Sequence, residues 1–468
     1  MRCVFEADPK AGREEQEAAF TFALAQIEQD LLTGTFDAGG AREYDKSIFP
    51  STAAFDAFRE RSKAAARCED ERDEEQIKTG RYGFRIELDA NLFANPRYGL
   101  QRLVHTLASD IFERHVSETG GRSRASEDLD LAALKPAYEK AYRTTSHDIA
   151  AIQAAFHLKQ NQPLLAFSLK PRACLSDEDY RYIVNAAFDG GCQIVELDTR
   201  DVAFDDPARE ALLVELTEMA LRRRADSQIC CFSANLSGPA LVIGPLLEKL
   251  SDVHAQTDPN GPWVVKIDGN LDGLSTIQAI RAGHFKLHTQ PIITCYPVLK
   301  FALRSAIGRN AFVKMLALSG ADIVYPGQSP KLSRSLGGID TQEVAASQAH
   351  YKAMDLGGYP MLSVAGSVFV TAVHAYMSIF GSKIVFFPGG GIALSRQGIR
   401  KGTENFAHAI DLARRDLFAG EKIADLPAKF IDLASIYFAD KTIPKEFDFV
   451  RPADLKFVKR QKSASIKE

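Results

Sequence analysis

Lys170 ends an apolar run in SLKPRACLS, which starts at Ser168; Pro171 follows to stop the strand, and a second cation, Arg172, lies two residues on. A lysine at such a strand end can stabilise an enolate, bind a phosphate, or act as acid or base once desolvation lowers its pKa. Glu196 and Asp198 stand two apart in GGCQIVELDTR, from Gly190. On a strand, positions i and i+2 share a face. Two carboxylates on one face can hold a hard divalent cation such as Mg2+, or divide acid and base roles; the alternative of equal weight is an ion pair with Lys170 or Arg172. PMLSVAGSVFV, from Pro360, and KIVFFPGGGIAL, from Lys383, each run from apolar residues into glycine. Gly366, Ser367, Gly389, Gly390 and Gly391 would let backbone N–H groups close on a phosphate beside a helix N-terminus; tight turns that bind nothing are the other reading. YPGQSPKLSRS, from Tyr325, carries Lys331 in a loop rich in Gly, Pro and Ser. Such a loop can close over a substrate and exclude water, or lie passively exposed.

These residues need a frame, and the sequence supplies one. Eight short apolar runs recur between about residue 163 and residue 388: PLLAFSL, CQIVEL, QICCFSA, WVVKI, PIITC, DIVY, PMLSVA and KIVFFP. A helix-like stretch follows each. Strands alternating with helices predict parallel β/α units, and eight of them close a barrel. The expected fold class is α/β: a C-terminal TIM (β/α)8 barrel over residues 151–468, tail included, after an N-terminal α+β, ferredoxin-like domain over residues 1–150. In a TIM barrel chemistry sits at the carboxyl ends of the strands, which adds Asn235, Asp268, Tyr296 and Tyr325 to the candidate site. Ser176, three residues before Asp179, predicts a capped helix just after the first barrel strand.

In the N-terminal part VFEA and GFRIELDA read as strands, and the stretches from Glu14 and from Tyr98 as amphipathic helices. The charged segment RCEDERDEEQIKTGR, from Arg67, reads as a solvated loop or strand edge, and residues 116–130 as a polar, mobile loop.

Composition narrows the function classes. The 468-residue chain carries a formal net charge of −4, so no global basic surface for nucleic acid is expected. No apolar run has the length of a membrane span, and MRCVFEADPK lacks the apolar core of a signal peptide. The seven cysteines suit reduced thiols in a cytoplasm. No CxxC pair or Cys/His cluster has zinc spacing, and with the histidines scattered and none at a strand end, histidine or zinc chemistry at the barrel mouth is not expected.

The motifs also resemble a known family. LKPR, ACLSDEDY and GGCQIVELD are similar in order and content to the first barrel segments of the ribulose-bisphosphate carboxylase (RuBisCO) large chain. LSGADIVYPG, the glycine turns and DLLTGTF, from Asp30, match further segments. The chain most resembles the form IV, non-carboxylating RuBisCO-like proteins. The resemblance implies that Lys170 exchanges the enediolate proton and that Thr35, Gly389 and Gly390 bind one substrate phosphate. It implies Lys331 as the mobile-loop lysine. It also implies a homodimer with a shared site, to which the partner subunit contributes Asp30 and Thr35.

The departures redirect the expected chemistry. The lysine that is carbamylated to hold Mg2+ in that family reads as Glu196. One carboxylate ligand is kept as Asp198, and the other reads as Thr199. A Mg2+ site would be weak or absent. The second phosphate site reads Tyr296, Pro297, Tyr325 and Ala365 where the family has cations and strong donors. The expectation is an enzyme that enolises, isomerises or tautomerises a phosphorylated ketose or keto-acid sugar without CO2 fixation. The alternatives are a decarboxylase or transcarboxylase/hydrolase of an oxidised sugar monophosphate, and a non-catalytic ligand-binding or regulatory relic.

Overall fold

The computed structural model describes residues 2–33, 51, 53–54, 66–96, 100, 103, 122–125, 129–142, 145–170, 175–197, 207–224, 229–269, 271–296, 309–326, 360–365, 368–393, 395 and 397–419. The chain forms two compact units. One comprises residues 1–145, 269–282 and 297–320; the other comprises 146–268, 283–296 and 321–468.

In the first unit, strands β1 (Arg2–Glu6), β2 (Ala66–Asp70), β3 (Arg81–Leu88) and β4 (Arg122–Ala125) form one sheet in the order β2-β3-β1-β4. All its pairs are antiparallel, the ferredoxin-like arrangement. The helix Arg13–Thr33 follows β1 and buries Phe20, Ala23 and Ile27 at helical spacing. Phe20 stacks on Tyr82 of β3, with ring centroids 5.1 Å apart. The charged stretch from Arg67, read as a solvated loop or strand edge, is an edge strand followed by the short helix Glu74–Ile77, with Asp73 accepting from the backbone N–H of Glu75. Solvent on the open side of β2 accommodates its charges. Part of the segment 116–130, expected as a loop, is β4, paired with β1.

The second unit is the barrel. Its strands are β5 (Leu164–Ser168), β6 (Ile194–Glu196), β7 (Cys231–Asn235), β8 (Val264–Lys266), β9 (Ile292–Cys295), β10 (Ile323–Val324), β11 (Met361–Ala365) and β12 (Ile384–Phe387). They close in chain order, with β12 pairing β5 in parallel. Each of the eight apolar runs supplies one strand. Parallel strands covered on both faces are apolar almost throughout, and for that reason they stand out in the sequence.

The two-residue period sorts the inward side chains into layers. Leu164, Ala166, Ile194, Cys231, Val264, Ile292, Ile323, Met361, Val385 and Phe387 form one apolar cluster, joined by Ile152 and Phe156 from the helix Ile149–Ala155 and the turn after it. This plug fills the end where most strands begin. Two residues further along, the inward positions become polar: Glu196, Ser233, Lys266, Thr294 and Ser363, all buried.

Local signals hold the first β/α unit in register. Ser176 and Asp179 form the expected capping box on the helix Asp177–Asp189. Gly190 and Gly191 then turn the chain into β6. A Cβ at Gly190 would lie 2.5 Å from the backbone oxygen of Arg400, in the helix Gly398–Ala419. Gly191 takes a φ of 94°, the left-handed conformation favoured after a helix.

One buried histidine sets an acid limit on stability. His254 is fully buried and stacks on Trp263; its Nε2 lies 2.9 Å from the carbonyl of Gly261 and so carries the proton. Burial, then nearby Arg224, pushes its pKa down to about 4 from 6.5. A depressed histidine contributes stability that is full above pH 6.5 and falls as pH drops through 4. Urea titrations between these limits should show the wild type losing about 3 kcal/mol more than His254→Gln.

Candidate functional site in the barrel

Glu196 ends β6 with its side chain inside the barrel. Its Oε2 accepts from the Thr294 hydroxyl at 2.7 Å, and its Oε1 lies 3.1 Å from the Lys266 ammonium. Neither partner is on a strand next to β6: Lys266 ends β8 and Thr294 is on β9. Only a closed cylinder lets these three side chains meet. The Glu196 and Lys266 side chains are 8% and 7% exposed, so this pair is shielded from solvent screening. Burial raises the Glu196 carboxyl above its ordinary range, against the opposing pull of Lys266 and Thr294.

The network continues towards the carboxyl ends of the strands. Lys266 Nζ is 3.7 Å from Oδ1 of Asp268, two residues along the same chain. Asp268 Oδ2 accepts from Asn235 Nδ2 at 3.4 Å, and the backbone N–H of Asp268 donates to the Ser237 hydroxyl at 2.6 Å. The Ser237 hydroxyl in turn donates to Asn235 Oδ1. Asn235 and Asp268, singled out as strand-end residues, are therefore joined in one buried polar cluster.

Lys170 is half-buried, just past the end of β5. β5 and β12 are neighbours, and this brings Lys170 against the glycine turn: a Cβ at Gly389 would lie 3.2 Å from Lys170 Cε and 3.1 Å from the backbone oxygen of Ser168. Glycine here permits the close approach. Gly389, Gly390 and Gly391 open the short helix Gly389–Ala393 directly after β12 and Pro388.

On the other side, the strand register carries Tyr325 level with Tyr296. Their rings stack with centroids 4.6 Å apart and an interplanar angle of 12°. The Tyr325 hydroxyl donates to the backbone oxygen of Ala365 at 3.3 Å. Three of the positions that the resemblance assigns to a second phosphate site thus engage one another. Tyr325 is buried, while Tyr296 keeps 39% of its surface exposed.

Asp198, Arg172, Lys331, Thr35, Gly366 and Ser367 lie outside the described residues. Asp30 falls in the helix Arg13–Thr33, and its side chain is not among those described. Sequence reasoning left Glu196 open between holding a divalent cation or sharing acid and base roles with Asp198 and an ion pair with Lys170 or Arg172; its oxygens engage Lys266 and Thr294. Those two residues were missed. The available signal was a lysine closing the apolar run WVVKI two residues before Asp268, on the face that also carries the carboxylate.

Among the described residues, no group of three or more His, Cys, Asp or Glu side chains is placed to share a metal ion. Nor do the surroundings of Glu196 suit a divalent cation: one oxygen faces a hydroxyl donor and the other an ammonium, which would repel a metal bound there. The described cysteines, Cys3, Cys68, Cys192, Cys230, Cys231 and Cys295, carry thiols rather than disulfides, and all but Cys68 are buried. No described helix is long and apolar enough to cross a membrane.

Comparison with known proteins agrees with this architecture. No protein family pattern matches the chain, and no curated protein does. Solved structures match over nearly its whole length. Octameric ribulose-1,5-bisphosphate carboxylase/oxygenase from Pyrococcus horikoshii, in complex with sulfate ion, superposes with a TM-score of 0.64 at 17% identity, covering 94% of this chain and 92% of that one. A second crystal form of that octameric enzyme gives a TM-score of 0.64 at 16% identity, over 94% and 93%. The chain has the Rubisco fold: a closed eight-stranded parallel barrel with a small N-terminal sheet unit.

Proposed function

We propose that this protein enolises a phosphorylated ketose or keto-acid sugar and does not fix CO2. The observation that supports the reading is the contact between Lys170 and the glycine turn at Gly389, beside a buried charged cluster. A substrate phosphate on the backbone N–H groups of Gly389 and Gly390 would set the neighbouring carbons of the sugar against the Lys170 amine. Neutral Lys170 then takes the proton from the carbon next to the carbonyl, and the electron pair moves onto the carbonyl oxygen as an enolate. Return of the proton to the former carbonyl carbon, with transfer of the neighbouring hydroxyl proton to the enolate oxygen, completes an isomerisation. Loss of CO2 from an oxidised sugar phosphate passes through the same enolate. No step is routed through Mg2+.

By its resemblance, the working unit is a cytoplasmic homodimer in which Asp30 and Thr35 come from the partner subunit, with Lys331 closing over the substrate. Tyr296 and Tyr325 replace cationic positions at the far end, so the substrate carries one phosphate. Calorimetric titration should give a sugar monophosphate an advantage of about tenfold or more over the corresponding bisphosphate, the worth of a charge-assisted hydrogen bond left unmade. Tighter binding of the bisphosphate would reject this substrate class. Absence of proton exchange across a panel of monophosphates would reject enolisation and favour a ligand-binding barrel.

A further inference from the structure

We infer that the Lys266 ammonium, rather than a divalent metal, is the cation held by Glu196 at the centre of this barrel. Lys266 Nζ lies 3.1 Å from Glu196 and 3.7 Å from Asp268, between carboxylates borne on β6 and just beyond β8. Both contacts are buried, and Thr294 fixes the second Glu196 oxygen at 2.7 Å. A divalent ion at this carboxylate would have to displace Lys266 or sit close to it, and like charges at such distances in a poorly hydrated interior repel strongly.

The arrangement has a chemical logic. An ammonium carries its own charge on a covalent arm and needs neither CO2 nor metal to be assembled. Its stem packs in the same inward layer as Ser233 and Ser363, so the charge is set by the fold. Lys266 is then a positioning residue. It fixes Glu196 and, through Asp268 and Asn235, the polar cluster at the carboxyl ends of the strands, offsetting one of the two carboxylate charges that would oppose formation of an enolate oxygen. This catalytic consequence rests on the enolising reading above; the identity of the cation does not.

Electron paramagnetic resonance of Mn2+ titrated into the full-length wild type and Glu196→Gln tests the inference without turnover. The expected result is equal Mn2+ binding by the two proteins. Wild-type binding that is lost in Glu196→Gln would overturn it. Lys266→Met, if folded, should gain Mn2+ affinity by about tenfold or more, the scale of removing one close like charge; no gain would also overturn it. If Lys266→Met does not fold, the comparison of wild type with Glu196→Gln decides alone. Proton exchange that proves sensitive to EDTA would contradict the inference and leave enolisation standing. Absence of exchange would remove enolisation and leave the Mn2+ result intact.

Discussion

Lys266→Met should destabilise the barrel strongly at neutral pH, with a loss of about 3–5 kcal/mol in urea-induced unfolding. The side chain is isosteric enough to fill the space, so the loss comes from electrostatics. Glu196 would keep its Thr294 hydrogen bond but face the interior as an uncompensated charge. The pH dependence fixes the sign. A carboxyl whose pKa is raised by folding contributes most below its unfolded value of 4.5 and loses that contribution as pH rises through the folded value. Lys266 pulls against the rise, so its removal pushes the Glu196 pKa higher still and widens this window. The variant should therefore lie closest to wild type in acid and furthest from it at neutral pH. Adding Glu196→Gln should restore more than half of the loss, because an amide still accepts from Thr294 and carries no charge. A double variant no better than Lys266→Met would show that the pair is not the source of the effect.

Lys170→Ala should lower proton exchange by about 100-fold or more, within the range attributed to a positioned acid or base. Its effect on unfolding should be small, because the residue is half-buried at the rim and lies outside the apolar cluster that closes the barrel. Lys170→Arg makes the sharper comparison. It puts a cation beside Gly389 that cannot be deprotonated, so phosphate binding should persist while exchange is lost. Substrate affinity falling in step with exchange in Lys170→Arg would instead mark Lys170 as a binding residue.

The barrel was legible in the sequence because its strands are buried on both faces and read as plain apolar runs; even the two-residue strand Ile323–Val324 stood out in DIVY. The N-terminal sheet was less so. β4 has the sequence RSRA and β2 has ARCED, and neither edge strand shows apolar alternation. Lys170 and the glycine turn were each legible as motifs, but their close approach follows from the pairing of the first and last barrel strands. The partner of Glu196 was not legible. Lys266 lies two strands away and Thr294 three, across an interior that exists only once the cylinder closes. Nearness along the chain suggested Lys170 or Arg172; the curvature of the sheet made Lys266 the neighbour. Tyr296 and Tyr325 were legible as missing cations, but their mutual stacking depends on the β9–β10 register.

The most direct measurement is deuterium incorporation from D2O into a panel of sugar monophosphates, followed by proton NMR in the presence of EDTA. Wild type should place deuterium on the carbon beside the carbonyl, and Lys170→Ala should not. Equal incorporation by the two proteins would contradict the role assigned to Lys170 and the account built on it.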